Sequence, residues 1–289
     1  MRFGVSSYSF SKYLSDTKCG YIAICDLAKE MGFEGIEFIN LKNEKWGETD
    51  NELDIAERIR EYCKKIELEI IAYTVGANFL ADDIDGEMAK LRHNVDIAEK
   101  LSAPLMRHDV VYKLRDKAGY TYKDAIAEIA PLVNEISNYA KSKGIVTCTE
   151  NHGFVFQAPE RVKELIDTVD NPNYGWLLDM GNFLCADVEP VSAVKIAFPY
   201  AVHVHAKDFL FKSGDEPKPA GFSITTLGGN YLRGTVIGHG VVPVKKCIDE
   251  LKNAEYNGWL SLEFEGQENV LQAIKDGLAN LKTYVGGEK

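Results

Sequence analysis

Short apolar runs alternate with longer amphipathic stretches along this chain, and they do so eight times. The runs are RFGVSSY from residue 2, FEGIEFI from 33, LEIIAYTV from 68, PLMRHDV from 104, GIVTCTE from 144, YGWLLDM from 174, AVHVHAKD from 201 and WLSLEFE from 259. Each is rich in β-branched, aromatic or leucine residues, as strands covered on both faces should be. Between them apolar residues recur at helical spacing. Tyr21, Ile22, Ile24, Leu27, Ala28 and Met31 form one such face, stopped by Gly32. Leu91, Val95, Ala98 and Leu101 form another, and Ile126, Ile129, Val133, Ile136 and Ala140 lead to a stop at Gly144. Pro159 opens a further helix carrying Val162, Leu165, Ile166 and Val169.

Strand and helix in repeated alternation with short connections mean parallel strands and right-handed crossovers. Eight units predict an α/β protein with a closed (β/α)₈ TIM barrel, a single domain over residues 1–289. The alternative, an open doubly wound sheet, would more often carry a G-x-G-x-x-G loop after its first strand, where this chain has SSYSFSKYL. Residues 209–241 interrupt the seventh unit. Their length, with Gly228, Gly229, Gly234 and the cation Arg233, predicts a lid over the barrel mouth. Residues 284–289 read as a frayed tail.

Composition narrows the function classes. The chain is 45% hydrophobic and 27% charged, an ordinary globular balance. No 18-residue apolar run predicts a membrane span, and MRFGVSSYSF reads as a first strand and not as a signal peptide, so a cytoplasmic protein is expected. A net charge of −11, with no Lys/Arg run longer than Lys245–Lys246, argues against nucleic acid and anionic membranes as partners. Cys19, Cys25, Cys63, Cys148, Cys185 and Cys247 form no C-x-x-C pair and are expected as buried free thiols. A small molecule remains as the expected partner; a homo-oligomer is allowed but not indicated.

In such barrels the active site is assembled at the carboxy-terminal ends of the strands. There the fifth run ends in Glu150, the sixth in Asp179, the seventh carries His203 and His205, and the eighth carries Glu263 and Glu265. Ionisable groups on four successive strand ends are costly to bury unpaired, and one divalent cation offsets that cost for all of them. Three carboxylates and one imidazole make a hard, mostly oxygen donor set, which suits Mn²⁺ or Mg²⁺ with Zn²⁺ or Co²⁺ as alternatives. His203, two residues before His205, is expected deeper in the barrel in a structural role. Asp208 is expected to cap a loop and Lys207 is either solvated or in the site.

Through TENHG, LLDMGNF, HVHAKD, IGHG and GWLSLEFEG, in that order, the chain resembles the sugar phosphate isomerase/epimerase superfamily, the xylose isomerase-like barrels that also include endonuclease IV. The resemblance implies one divalent metal, Mn²⁺ first, held by Glu150, Asp179, His205 and Glu263; it selects Glu263 over Glu265. It further implies that a sugar or polyol-derived ketone chelates the metal, which stabilises an enediolate, and that Glu150 and Glu263 serve as the catalytic bases on its two faces. His108, His152, Asn182, Lys207 and Arg233 are the expected substrate-binding residues, with His108, His152 and Lys207 also candidates for proton transfer. Asn182 stands where many epimerases have histidine, and His152 follows Glu150 as in only part of the superfamily. The implied activity is a metal-dependent sugar or inosose isomerase or epimerase. The alternative is a lyase on the same site, an inosose dehydratase or a 3-keto-glycoside-cleaving enzyme. A three-zinc repair nuclease is disfavoured by six histidines in all and by the charge, and a barrel that merely binds a sugar by the intact ligand set. Arg107, Arg233 and Lys212 could meet a phosphate, but scattered cations are usually solvated, so the sequence leaves open whether the substrate is phosphorylated.

Overall fold

The computed structural model describes residues 1–286. Its strands, in chain order, are β1 (Arg2–Ser6), β2 (Gly35–Ile39), β3 (Glu69–Val75), β4 (Leu105–His108), β5 (Val146–Glu150), β6 (Tyr174–Asp179), β7 (Ala201–Ala206), β8 (Asp208–Lys212), β9 (Ile224–Thr225), β10 (Tyr231–Thr235) and β11 (Trp259–Leu262). β1 to β7 and β11 pair in parallel and close a barrel in the order β1-β11-β7-β6-β5-β4-β3-β2. All eight apolar runs are therefore barrel strands. The helices are α1 (Ser11–Thr17), α2 (Gly20–Met31), α3 (Glu52–Lys65), α4 (Ile84–Leu101), α5 (Tyr122–Ser142), α6 (Pro159–Val169), α7 (Pro190–Ala197), α8 (Val244–Asn253) and α9 (Val270–Gly286).

Local chemistry sets the boundaries. Gly32 ends α2 in the left-handed region, where its N–H bonds the Ala28 and Lys29 carbonyls. Thr121 and Asp124 form a reciprocal capping box at the start of α5. The main core lies between the strands and the helix ring, while Ala72, Leu105, Cys148 and Leu177 form a separate small apolar cluster inside the barrel.

Alternation along each strand decides what points inward. On β4 the inward pair is Leu105 and Arg107, on β5 Cys148 and Glu150, on β6 Leu177 and Asp179. Two irregularities tune this phase. The β2–β3 register skips Ile71, whose side chain fills space that a Cβ on Gly4 or Gly35 would occupy. The β6–β7 register skips Val202, packed where a Cβ on Gly175 would be. An extra residue re-aims the side chains that follow it on its own strand; beyond Val202, His203 and His205 are buried together with Glu37 inside the barrel.

Two expectations need correction. Residues 209–241 are a formed unit, with β10 antiparallel to both β8 and β9. Asp187, after β6, accepts from the Thr226 hydroxyl, the Gly228 N–H and the Asn230 amide and pins its turn. Asp208 accepts from the backbone N–H groups of Phe209, Gly238, Gly240 and Val242, as its expected capping role requires. The segment therefore packs on the carboxy-terminal face as a tethered sheet beside the mouth. At the other end, α9 continues through residues 284–286, and Lys252 bonds the Tyr284 and Val285 carbonyls; the remainder of the expected tail, 287–289, lies outside the described residues. Cys19 is exposed, whereas the other five cysteines are buried as expected.

Candidate metal centre and active-site cleft

A cleft of about 270 Å³ opens at the carboxy-terminal end of the barrel, lined by Tyr8, Ile39, Asn40, Thr74, Val75, Gly76, Arg107, Asp109, Glu150, His152, Lys207, Glu263 and Glu265. That volume lies near the small end of ligand pockets and suits a single small molecule.

At its floor Glu150, Asp179, His205 and Glu263 each offer a ligand atom, and these atoms lie within 4.8 Å of one another. Each is buried or nearly so. Asp179 Oδ1 accepts the Gly181 and Asn182 N–H groups at 2.8 and 2.9 Å, which aims Oδ2 into the cluster with no hydrogen-bond partner. His205 Nδ1 is likewise buried without a hydrogen bond, 3.7 Å from Glu263 Oε2. Burial, reinforced by the charges of Glu150 and Glu263 and opposed by Lys207, raises the Asp179 carboxyl to about 6. Orphaned donor atoms among crowded carboxylates fit a divalent cation, and the oxygen-rich set matches Mn²⁺ or Mg²⁺ while still admitting Zn²⁺.

The other expected site residues divide. His152 and Lys207 line the cleft. Lys207 is buried, with Nζ 2.5 Å from Glu263 Oε2, 3.4 Å from Glu265 Oε2 and 3.5 Å from Asp179 Oδ2, so the solvated alternative is set aside. Against the opposing effect of burial, Lys207 and His205 hold Glu263 well below the usual carboxylate range. Asn182 is buried; its amide donates to Glu150 Oε1 at 2.8 Å and orients that carboxylate, and Asn182 does not line the cleft. His108 is a correction. It is out of phase with Arg107 on β4, wholly buried, bonded through Nδ1 to the Asp109 carbonyl and placed between the rings of Phe79 and Tyr174. Burial lowers it to about 4, so it is a neutral packing residue. Arg233 is a second correction: on β10, its guanidinium lies 5.7 Å from the Phe222 ring and does not line the cleft.

Three residues that contact the cluster or the cleft are not among the site residues expected from the sequence. Arg107, taken there as a scattered cation, is buried and clamps Glu150 Oε2 at 2.7 Å and Asp109 Oδ1 at 2.9 Å. Asp109 Oδ1 also meets Nδ1 of the half-exposed His152 at 2.9 Å. Desolvation lowers the His152 imidazole, but the bond to Asp109 together with the charges of Glu150 and Asp109 makes the net shift upward. Glu37, on β2, is wholly buried between His203 and His205. The inward phase of each strand was the available signal for Arg107 and Glu37.

A closed parallel (β/α)₈ barrel carries at its carboxy-terminal mouth an acidic, histidine-containing cluster that could hold a metal ion. The chain belongs to the xylose isomerase-like TIM barrel family, whose model matches residues 25–284. It is similar to a Lactiplantibacillus plantarum protein named inosose dehydratase, 24% identical over 222 residues that cover 72% of this chain and 73% of that one. Among solved structures it is similar to the IOLI protein with a bound zinc atom, at 16% identity and a TM-score of 0.75 over 99% of both chains. It is also similar to an L-ribulose 3-epimerase, at 14% identity and a TM-score of 0.74 over 99% of this chain and 95% of that one. At these identities the two structures establish the shared fold. No helix among the described residues is long and apolar enough to cross a membrane.

Proposed function

We propose that the protein is a divalent-metal-dependent lyase that eliminates water from a small polyhydroxy ketone of the inosose type, with Glu150, Asp179, His205 and Glu263 as the metal ligands. One observation carries the choice of lyase over epimerase. Both Glu150 oxygens are already engaged, Oε1 by Asn182 and Oε2 by Arg107, while the Asp109-oriented imidazole of His152 stands at the cleft two residues away. Two-base epimerisation needs a mobile carboxylate on each face of the reacting carbon; Glu150 is held as a fixed ligand instead.

A bound divalent cation would polarise the ketone oxygen and stabilise the negative charge that develops there. His152 accepts the proton from the carbon next to the carbonyl, and Asp109 holds its ring in place and stabilises the imidazolium. The same proton passes to the hydroxyl on the adjacent carbon as its C–O bond breaks, so one water leaves and a C=C bond remains. Lys207 anchors Glu263, and with Tyr8 and Glu265 it offers hydrogen bonds to the remaining hydroxyls. The relative named inosose dehydratase supports this reading.

Isomerisation or epimerisation is the second reading. Glu263 favours it, because its carboxylate lines the cleft and is held by a lysine ammonium and not by a rigid guanidinium. The test is incubation of the Mn²⁺-loaded protein in D₂O with inososes, ketoses and 3-keto glycosides, read by mass spectrometry. A product lighter by one water supports the lyase. Deuterated substrate or epimer of unchanged composition, without water loss, refutes it in favour of epimerisation, and neither water loss nor exchange with any member refutes both.

A further inference from the structure

We infer that Glu37 is the positioning residue of the metal centre: its carboxylate, braced by His203, fixes the ring and tautomer of His205 so that Nδ1 faces the other three ligands. The inference rests on the metal reading above and adds a residue that reading does not use.

Glu37 sits on β2, across the barrel from β7. Its Oε1 lies 2.7 Å from His205 Nε2 and its Oε2 lies 2.9 Å from His203 Nε2. All three side chains are within a few per cent of complete burial, so this is a dry contact in which an unpaired carboxylate would be very costly. A carboxylate has no proton to give at neutral pH, so the proton on the facing edge of the His205 ring belongs on Nε2. Nδ1 is then left with its lone pair, buried next to Glu263 without a hydrogen-bond partner, while Nε2 keeps its 2.7 Å charge contact with Glu37 Oε1, which lacks the angles of a hydrogen bond. A carboxylate behind a ligating imidazole fixes its orientation and raises its basicity toward a cation.

His203 explains why the carboxylate stays in place. One Glu37 oxygen could rotate away from His205 if the other were free. Hydrogen-bonded at 2.9 Å through Oε2 to a second imidazole on the same strand, the group keeps Oε1 in charge contact with His205. The extra residue at Val202 precedes both imidazoles, which are spaced by two on one face of β7. The same three residues also approach the geometry of a cation site in their own right. Within this trio the polar atoms face one another, Glu37 Oε2 bonded to His203 Nε2 and Glu37 Oε1 2.7 Å from His205 Nε2, whereas Asp179 Oδ2 and His205 Nδ1 face the four-residue cluster.

Glu37→Gln tests the idea with little change of shape. Glutamine can accept from His205 through its oxygen and donate to His203 through its amide, so the contacts persist while the negative charge is lost. Full-length wild type and variant are stripped with chelator, checked for folding by circular dichroism, and titrated with Co²⁺ and Mn²⁺ by calorimetry and by the Co²⁺ absorption bands. The expected result is one equivalent bound by both, with about 10–100-fold weaker affinity and altered Co²⁺ bands in the variant. Equal affinity and identical bands in a folded variant overturn the inference. Two equivalents in wild type and one in the variant overturn it as well, by making Glu37 a ligand of a second ion. If wild type itself binds no metal, the functional reading fails first and both proteins behave alike. Should Glu37→Gln not fold, His203→Gln removes only the brace: a several-fold loss of metal affinity supports the inference, and unchanged affinity overturns it.

Discussion

Arg107→Met replaces the buried guanidinium with an apolar chain of similar length, and its consequences follow from what that cation touches. Arg107 is 5% exposed and bonds Asp109 at 2.9 Å and Glu150 at 2.7 Å. Its loss strands both carboxylates beside Asp179 and Glu263, with Lys207 already committed to Glu263. Breaking a buried ion pair by removing one partner costs about 3–5 kcal/mol. At roughly 2–4 °C per kcal/mol for domains near this size, the Tm in chelator should fall by about 6–20 °C. A divalent cation placed among those carboxylates supplies part of the missing charge. A ligand at 100 times its Kd stabilises the folded state by about 2.7 kcal/mol, and the more acidic site of the variant should bind it more tightly. Mn²⁺ should therefore raise the Tm of Arg107→Met by more than it raises that of wild type. The assay is thermal and urea unfolding of both proteins with chelator and with excess Mn²⁺. A variant within about 1 kcal/mol of wild type in chelator, or a Mn²⁺ response no larger than that of wild type, refutes the charge argument.

Other outcomes follow from the same contacts. His152→Ala should lower turnover by about 10²–10⁴-fold, the range for a positioned acid–base group, and Asp109→Asn by less, with metal content by elemental analysis unchanged in the first. His108 is held near 4 in the fold and titrates near 6.5 when exposed. Between those values the unfolded chain carries more protons, so stability falls on acidification through this window by up to about 3 kcal/mol. His108→Phe should remove that part of the pH dependence in urea unfolding at pH 4–7 while leaving activity in place, and an unaltered slope would show that other groups cause it. Asp208→Ala releases four backbone N–H groups around residues 209–242, and limited proteolysis should then cut within 236–242, where wild type resists.

The eight strands were legible because strands buried on both faces spell continuous apolar runs, and two-way burial leaves few other readings for that pattern. The positions offered as metal ligands were legible because each follows such a run, so the strand itself says where the mouth is. Phase within the strand was the neglected signal. On PLMRHDV, Arg107 shares the inward face with Leu105, and His108 necessarily points into the helix layer. Choosing the imidazole for its chemistry over the guanidinium for its phase misplaced the role of this strand. Arg233 failed for another reason, since glycine content cannot tell a mobile lid from a pinned sheet; the carboxylates of Asp187 and Asp208 decide that, and Asp187 belongs to a different connection. Glu37 marks where local reading stops. Its phase is readable from Gly35 and Ile39, but its partner His203 stands 166 residues further along the chain. The Val202 irregularity that precedes His203 leaves no local mark beyond the glycine it packs against. Long-range closure of the barrel, which no window of sequence contains, turns a buried acid that would otherwise be prohibitive into the support of a histidine.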